Sequence, residues 1–220
     1  MILIPVKEQR NAKQRLSGVL DADERVALAQ AMLEDVLDAV AATAPRPAVS
    51  LVTSDAHAML LAQRHGFSII EDAENAGESA AIEMATRSCV QRGVAWTLVI
   101  PGDAPLVTAK EIETILKSAS DAGSVLAPDV KGRGSNAVLR RPADLFPLRF
   151  GNDSFAPHLE SARATGKTCV VLQLPGIALD VDDPSDLAAL AHIRGDTRSQ
   201  RLLVEWGIVE RFRTPATGKS

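Results

Sequence analysis

One aspartate of the sequence follows an apolar run in a setting that suits metal chemistry. Asp103 ends residues 98–103 (LVIPGD), so a buried strand over this run would leave its carboxylate in the cleft above a sheet. Gly102 lets the backbone approach a ligand closely, and Pro101 stiffens the segment. Carboxylate oxygens suit Mg²⁺ held between protein and phosphates. A turn or helix-capping aspartate is the alternative, and the strand context favours the metal-binding interpretation.

A second acidic segment supplies two more carboxylates. Residues 178–187 read ALDVDDPSDL, and if the segment begins extended, Asp180 and Asp182 project to the same face because side chains alternate along a strand. Two like charges so close cost free energy unless a cation bridges them. Together with Asp103 they are therefore candidates to hold one or two magnesium ions. A merely acidic helix entry is the interpretation that fits the later aspartates of the segment better.

A basic loop follows the first apolar run of the chain. It holds four cations within nine residues, namely Lys7, Arg10, Lys13 and Arg15. Cations at the end of a first strand can hold a triphosphate and neutralise the charge that develops on a leaving pyrophosphate. The loop lacks the glycine-rich cradle of a Walker motif. A solvated basic turn is the alternative interpretation of the same residues.

Two further segments place glycine beside hydroxyl, amide and cationic groups. They are residues 131–137 (KGRGSNA) and residues 149–158 (RFGNDSFAPH). Backbone N–H groups at 151–154 could open a helix and bind a phosphate or a carboxylate. A hairpin turn and a helix-capping sequence are the respective alternatives. His158 could act as a base, but a helical histidine beside apolar neighbours is more often structural.

The elements that would position these residues alternate along the chain. Strands are predicted over residues 2–6, 49–53, 67–71, 96–100, 124–127, 137–139 and 168–172. Helices are predicted over residues 56–65, 78–92, 110–119, 154–164 and 186–192, with an earlier one whose apolar positions run from 28 to 40. Continuous apolar strands between amphipathic helices predict an α/β fold with a mostly parallel central sheet and helices on both faces. Ligands of such sheets bind at the carboxyl ends of the strands.

Local signals mark the ends of two helices. Asp21 or Asp23 can cap the first helix, and Asp183 or Ser185 can cap the one that follows the acidic segment. Pro184 stands near the start of that helix, where its missing N–H costs nothing. The chain is expected to form one domain over residues 1–212, followed by a frayed tail over residues 213–220.

Composition excludes several classes of function. The net charge of −4 argues against nucleic acid or an anionic membrane as partner. An aromatic content of 3% without tyrosine argues against a stacking surface for single strands. Cys89 and Cys169 lack metal-ligand spacing and are predicted to be buried thiols in a reducing compartment. The absence of a signal peptide and of a membrane-length apolar run predicts a cytoplasmic protein.

In their order, these segments resemble the guanylyltransferases that activate a small phosphorylated hydroxy acid in biosynthesis of the deazaflavin coenzyme F-420. The matching residues are those at 5–7, 12–16, 101–106, 134–137, 149–151, 154–155, 158 and 179–182. That family belongs to the single-domain Rossmann-like nucleotidyltransferases, which include the molybdenum-cofactor guanylyltransferases. The combination covers nearly the whole chain and is far more specific than any one motif.

The resemblance implies three sets of site residues. Magnesium, as one or two ions, would be bound by Asp103, Asp180 and Asp182. The nucleotide phosphates would be contacted by the catalytic cations Lys7, Lys13 and Arg15. The phosphorylated acid would be received by Ser135, Asn136, Gly151 and Ser154. GTP would be the co-substrate, and GMP would be transferred to the acid with release of pyrophosphate.

Two departures from the family pattern concern the substrates. Ser135 stands where the family usually has threonine, which keeps the hydroxyl. A Gly-Leu-Asn segment, which would help hold the base or ribose, is replaced by residues 74–79 (ENAGES). Acceptors across the family are 2-phospho-L-lactate, phosphoenolpyruvate and 3-phosphoglycerate. The alternatives are a nucleotidyltransferase that uses CTP or a sugar phosphate, and a non-catalytic GTP-binding module that regulates a partner enzyme.

An apolar segment near the C-terminus has two possible roles. The apolar segment at residues 201–209 (RLLVEWGIV) could close the core, which is the default, or form a homodimer contact. The resemblance also implies that the product passes to a downstream transferase.

Overall fold

A computed structural model describes residues 1–74, 76–119, 123–151 and 153–213 of the chain. The strands are β1 (Ile2–Val6), β2 (Val49–Thr53), β3 (Ser68–Ile70), β4 (Thr97–Val99), β5 (Ser124–Pro128), β6 (Ser135–Arg140) and β7 (Cys169–Val171). The α-helices are α1 (Ala22–Ala41), α2 (Ala56–His65), α3 (Glu78–Gln91), α4 (Ala109–Ser118), α5 (Phe155–Ala164), α6 (Pro175–Ala178), α7 (Pro184–His192), α8 (Arg198–Glu205) and α9 (Ile208–Arg213). Two short 3-10 helices, Gln9–Asn11 and Gln14–Leu16, lie between β1 and α1.

The strands form one sheet in the order β3-β2-β1-β4-β6-β5-β7. Pairing is parallel from β3 to β4 and between β5 and β7, whereas β6 runs antiparallel to both of its neighbours. The predicted mostly parallel sheet is therefore confirmed, with a single reversed strand among those described. The chain builds outward from β1 to β3 and then returns to β4 on the other side of β1. Such a reversal opens a crevice at the carboxyl ends of β1 and β4.

Alternating side chains bury both faces of the sheet. On β1, Ile2 and Ile4 are fully buried in one layer with α1, α2 and α4, while Leu3 is buried in the opposite layer against α3. Successive residues of a strand point to opposite faces, so a strand covered on both sides must be apolar throughout. This is why the continuous apolar runs of the sequence predicted helices on both faces, as the structure has them.

The first helix begins at a reciprocal cap. The Asp21 side chain accepts from the backbone N–H of Glu24, and the Glu24 carboxylate accepts from the N–H of Asp21. Two N–H groups that lack a helical partner are thereby satisfied. Of the two caps considered from sequence, the structure uses Asp21. Similarly, α2 ends at Gly66, whose φ of 68° suits a residue without a side chain.

Two C-terminal helices, α8 and α9, have no counterpart in the sequence prediction. The buried carboxylate of Asp35 on α1 accepts from the backbone N–H of Arg198 at 2.8 Å, and from the N–H and hydroxyl of Ser199 at 3.0 and 2.7 Å. Leu203 and Ile208 are buried, which confirms that this segment closes the core. None of the described helices is both long and apolar enough to cross a membrane.

The C-terminal tail and the two cysteines were also predicted from the sequence. Arg213 is the last residue of α9, so the predicted tail begins one residue too early, and residues 214–220 lie outside the described part. Asn75 and Asn152, from two of the predicted site segments, also lie outside it. Cys89 is buried as predicted, whereas Cys169 is only partly buried, and both thiols are free.

Candidate active site

Three carboxylates meet in one cleft at the carboxyl edge of the parallel strands. Asp103 follows β4, and Asp180 and Asp182 lie in the segment between α6 and α7. The backbone N–H of Val181 donates to the carbonyl of Asp103 at 3.1 Å, which ties the two segments together. All three carboxylates line a cleft of about 540 Å³. The structure thus brings together the aspartates that the sequence predicted to share a site.

A cation lies between two of these carboxylates. Lys13 Nζ donates to Asp103 Oδ2 at 2.6 Å and to Asp182 Oδ1 at 2.8 Å, and its side chain is only 8% exposed. Burial alone would lower the pKa of Lys13, but the charges of Asp103 and Asp182 outweigh it and raise the pKa above its ordinary value. Burial likewise acts to raise the pKa of Asp182, and the Lys13 ammonium reverses this effect. The site therefore contains an internal ion pair.

The backbone of the first loop explains how Lys13 reaches the carboxylates. Lys13 adopts a left-handed conformation with φ of 54° between the two 3-10 helices. Leu16, three residues later, is fully buried and anchors the loop to the core. At the other end of the loop, the backbone N–H of Gln9 donates to Asp55 Oδ2 at 3.1 Å. The two fixed ends hold the lysine over the cleft.

Asp180 has a different environment from its neighbours. Asn136 Nδ2 donates to Asp180 Oδ1 at 2.9 Å and also lies 3.0 and 3.1 Å from the carbonyls of Ile177 and Ala178. Burial raises the pKa of Asp180 to about 6, with a further contribution from the charge of Asp103. Asn136, which the sequence assigned to the acceptor, thus lines the cleft and at the same time holds Asp180 in place.

The other residues predicted to receive the acid line the far side of the same cleft. Ser154 starts α5 without capping it through its side chain, because its hydroxyl oxygen accepts from the backbone N–H of Ser135 at 3.0 Å. Ser154 is thus the residue at which α5 begins, although its side chain makes no capping hydrogen bond. Gly151, with φ of 138°, also lines the cleft. Its neighbour Phe150 is held by the Ser79 hydroxyl, which accepts from the Phe150 N–H at 2.8 Å.

The predicted cations Lys7 and Arg15 both line the cleft as well. The Lys7 side chain is 64% exposed and lies 3.6 Å from the carboxylate of Glu78. Glu78 was not singled out from the sequence, although it belongs to residues 74–79, which replace the segment expected to help hold the base or ribose. Burial raises the pKa of Glu78 against the effect of Lys7, and the charge of Asp103 adds to this rise.

The β5–β6 turn closes the cleft at its rim. The Asp129 carboxylate accepts from the backbone N–H groups of Arg133 and Gly134, at 2.8 Å each. The hairpin interpretation of this segment is therefore right, and the turn is part of the site as well. From the same turn, Lys131 lies 3.1 Å from Asp183 and 3.0 Å from Asp186.

Those two aspartates also cap α7. Asp183 and Asp186 form a reciprocal capping box, with Pro184 in the first turn of the helix. Of the two caps considered from sequence, the structure uses Asp183.

A second pocket adjoins the first and shares its acidic centre. It has a volume of about 470 Å³ and is formed largely by the first loop and α1. The residues common to both pockets are Lys7, Glu78, Pro101, Asp103 and Asp182. Gly102 lines the second pocket, and a methyl group on it would come within 3.2 Å of Leu33 Cδ1. Two ligands bound in these pockets would meet at the carboxylates, as a group-transfer reaction requires.

Metal binding at this centre depends on how the carboxylate side chains are arranged and on their negative charge. Among the described residues, no group of three or more histidine, cysteine, aspartate or glutamate side chains is arranged so that it could hold a metal ion. The oxygen donors of Asp103, Asp180 and Asp182 are nevertheless the type that Mg²⁺ prefers. Because Lys13 lies between two of them, this point in the cleft accepts positive charge.

Comparison with known proteins gives matches over nearly the whole chain. A family model described as guanylyl transferase CofC like matches residues 1–219. A phosphoenolpyruvate guanylyltransferase of Sphaerobacter thermophilus is 34% identical over 189 residues, which cover 86% of this chain and 91% of that protein. A 2-phospho-L-lactate guanylyltransferase of Methanothermobacter thermautotrophicus is 32% identical over 209 residues, 92% of each chain. A 3-phospho-D-glycerate guanylyltransferase of Colwellia psychrerythraea is 31% identical over 190 residues, 86% of this chain and 90% of that protein.

Solved structures with the same fold are more distant in sequence. A protein from Desulfovibrio desulfuricans G20, described as a nucleotide-diphospho-sugar transferase, has a TM-score of 0.80 at 18% identity, covering 96% of each chain. A CMP:2-keto-3-deoxy-manno-octonic acid synthetase complexed with CTP has a TM-score of 0.59 at 13% identity, covering 94% of this chain and 98% of that chain. At these identities the likeness concerns the fold, which is that of nucleotidyltransferases.

Proposed function

The chain belongs to the CofC-like guanylyl transferase family, and from that premise we propose that it transfers GMP from GTP to a small phosphorylated acid. The acceptors named for its relatives, phosphoenolpyruvate, 2-phospho-L-lactate and 3-phosphoglycerate, define the class of acid. The observation that carries the proposal is the pair of adjoining pockets that share Asp103 and Asp182. The product, a guanosine linked to the acid through a diphosphate, would be passed to a downstream transferase in F-420 biosynthesis.

Each substrate has a pocket whose chemistry suits it. The pocket formed by the first loop and α1 would take GTP, with Lys7 and Lys13 beside its phosphates. The cleft lined by Ser135, Gly151 and Ser154 would take the acid, because hydroxyl and backbone N–H groups donate hydrogen bonds to anionic oxygens.

The reaction needs no nucleophile from the protein. A phosphate oxygen of the acid attacks the α-phosphorus of GTP in line. The bond between that phosphorus and the oxygen that joins it to the β-phosphorus breaks, and pyrophosphate leaves. Lys7 and Arg15 offer cations to the oxygens on which charge develops, and Lys13 offers a third close to the carboxylates. The contribution of these residues is orientation and charge neutralisation.

We propose magnesium for this site from the type of its oxygen donors, although among the described residues the three carboxylates are not arranged so that they hold an ion together. Asp103, Asp180 and Asp182 would hold it, and when bound it would add positive charge beside the reacting phosphates. The Lys13 ammonium between Asp103 and Asp182 supports the proposal, since this lysine shows that the two carboxylates are close enough to share one cation.

Pyrophosphate release is the direct test. The purified chain, given GTP, Mg²⁺ and each of the three acids in turn, is expected to release pyrophosphate with at least one of them. A parallel series with CTP and with a sugar phosphate tests the alternative substrates. Binding of GTP in calorimetry without release in any combination would instead favour a regulatory module.

The site assignment is tested by a matched pair of variants. Asp103→Asn is expected to lower the rate of pyrophosphate release by roughly a hundredfold or more, the loss typical of one group that stabilises the transition state. Asp196→Asn makes the same chemical change at an exposed position, where the side chain pairs with Arg201, and is expected to leave the rate unchanged. Equal rates in the two variants would contradict the role of Asp103.

A further inference from the structure

Both ring nitrogens of one buried histidine have a hydrogen-bond partner beside the cleft. His158 lies in the first turn of α5 and is 1% exposed. Its Nε2 accepts from the backbone N–H of Arg149 at 2.9 Å, and its Nδ1 lies 2.9 Å from the hydroxyl oxygen of Ser135. The histidine thereby links the segment that carries Gly151 to the start of β6.

These two bonds determine where the imidazole carries its proton. A backbone N–H can only donate, so Nε2 of His158 must be unprotonated. A neutral imidazole with a free Nε2 carries its hydrogen on Nδ1. Burial, with the charge of Arg140, lowers the pKa of His158 to about 4, so the ring is neutral at ordinary pH. His158 therefore donates from Nδ1 to the oxygen of Ser135.

The direction of that bond decides what the Ser135 hydroxyl can do. Its oxygen accepts from His158, so its hydrogen is available to another acceptor. Within the described part of the chain, no side chain or carbonyl accepts it. The same holds for Ser154, whose oxygen accepts from the Ser135 N–H. Both serines line the cleft, so both can donate to an anionic ligand there.

We propose that His158 is a positioning residue that makes Ser135 a hydrogen-bond donor to an anionic oxygen of the phosphorylated acid. This inference rests on the proposed function and adds to it a residue that does not touch the substrate.

The tautomer is tested by NMR of the full chain. The sequence has four histidines, and a long-range ¹H–¹⁵N spectrum compared with that of His158→Gln assigns the signals of His158. The expected result at pH 7 is a protonated Nδ1 and an unprotonated Nε2. A proton on Nε2, or rapid exchange between the two tautomers, would overturn the proposal.

The effect on the acid is tested by kinetics in a double-mutant cycle. His158→Gln can still accept the Arg149 N–H but cannot reach Ser135, and Ser135→Ala removes the hydroxyl. Each variant is expected to raise KM for the acid by roughly tenfold or more, the value of one hydrogen bond to a charged group, with KM for GTP unchanged. The double variant should be no worse than Ser135→Ala, and Ser135→Thr should keep the wild-type KM.

Two outcomes separate this proposal from a structural role for His158. Additive losses in the double variant, or a fall in kcat with KM for the acid unchanged, would overturn it. If the wild-type chain releases no pyrophosphate with any acid, the proposed function fails. The tautomer spectrum then still decides whether His158 donates to Ser135.

Discussion

Among single side chains, Lys13 has the most direct consequence for ligand binding. Its ammonium compensates Asp103 and Asp182 at 2.6 and 2.8 Å, which reduces the repulsion between these two carboxylates. A cation that enters between these aspartates must compete with the lysine, because breaking a buried ion pair is costly unless the partner is replaced. Phosphates of a bound nucleotide would offer Lys13 a new partner in the adjoining pocket.

We therefore expect Lys13→Met to separate metal binding from turnover. Without the competing ammonium, Mn²⁺ should bind the nucleotide-free variant more tightly than the wild type, as followed by electron paramagnetic resonance of free Mn²⁺. Pyrophosphate release should nevertheless fall by about a hundredfold, since a charge beside the reacting phosphates is lost. Lys110→Met changes an exposed lysine on α4 and serves as the control. Weaker Mn²⁺ binding in Lys13→Met would contradict the competition.

His158 predicts a dependence of stability on pH. Its pKa is about 4 in the folded chain against 6.5 for an ordinary histidine, chiefly because it is buried. Between these values the unfolded chain binds the extra proton, so the free energy of unfolding should fall as the pH is lowered from about 6.5 to about 4. The loss should be on the order of 3 kcal/mol. Urea denaturation at several pH values measures it, and a slope unchanged in His158→Gln would show that another group is responsible.

Sequence reasoning identified candidate residues that the structure places around one cleft, but it did not predict their contacts. The aspartates and hydroxyls could be found because residue type and strand ends are local properties of a sequence. The ion pair of Lys13 with Asp182 joins positions 169 residues apart and depends on a left-handed backbone at a non-glycine residue. Asn136 is a second example. No local pattern of the sequence tells whether its side chain binds Asp180 or contacts the acid.

At the level of elements, the short helix α6 fixes the start of the segment that carries Asp180. It packs so closely under the loop after β4 that a methyl group on Gly176 would overlap with the Leu106 carbonyl and with the Glu111 carboxylate. Glu111 also accepts from the backbone N–H of Gly176 at 2.7 Å. The segment that carries Asp180 thus begins at a contact that only glycine permits.

Gly176→Ala is accordingly expected to lower the free energy of unfolding by about 1–3 kcal/mol, the typical cost of overpacking. It should also reduce pyrophosphate release, because the shift of α6 is passed on to Asp180. Gly18→Ala is the matched control, since nothing lies within 4 Å of the added methyl group. Urea denaturation compares the two variants, and equal stabilities would argue against the tight contact of α6.

The elements themselves could be predicted to different degrees. Where apolar runs end at strong signals, as for α2 before Gly66, the predicted and observed bounds are identical. Strand β3 is two residues shorter than predicted, because only Ser68–Ile70 finds a ladder partner on β2. Helices α6 and α8 have too few residues to give a clear helical period, and only their tertiary contacts reveal them.

For the whole molecule, the C-terminal helices complete the core from the far end of the chain. Their attachment depends on Asp35 of α1, whose carboxylate accepts three hydrogen bonds from Arg198 and Ser199. A contact of this kind joins the first helix to the eighth, so no local pattern could predict it. A homodimer through this segment remains a prediction, with Val204, 81% exposed, as its apolar candidate.

Replacement of Asp35 should therefore weaken the whole fold and leave the chemistry of the site intact. In Asp35→Asn, an amide NH2 group replaces one carboxylate oxygen and cannot accept from the N–H groups of Arg198 and Ser199. The substitution is expected to lower the free energy of unfolding by about 1–3 kcal/mol. Glu34→Gln, next to it, breaks a partly exposed ion pair with Arg198 and should change the free energy by less than about 1 kcal/mol. Urea denaturation measures both, and a larger loss in Glu34→Gln would contradict the role of Asp35.

The reversed strand β6 has a consequence for how such enzymes diversify. Because β6 runs against its neighbours, Ser135 and Asn136 enter the cleft at the beginning of a strand, directly after the β5–β6 turn. The pocket proposed for GTP is formed largely by the first loop and α1, which lie elsewhere in the chain than that turn. Exchanging the turn and the segment that faces it could alter the choice of acid while the nucleotide half stays as it is.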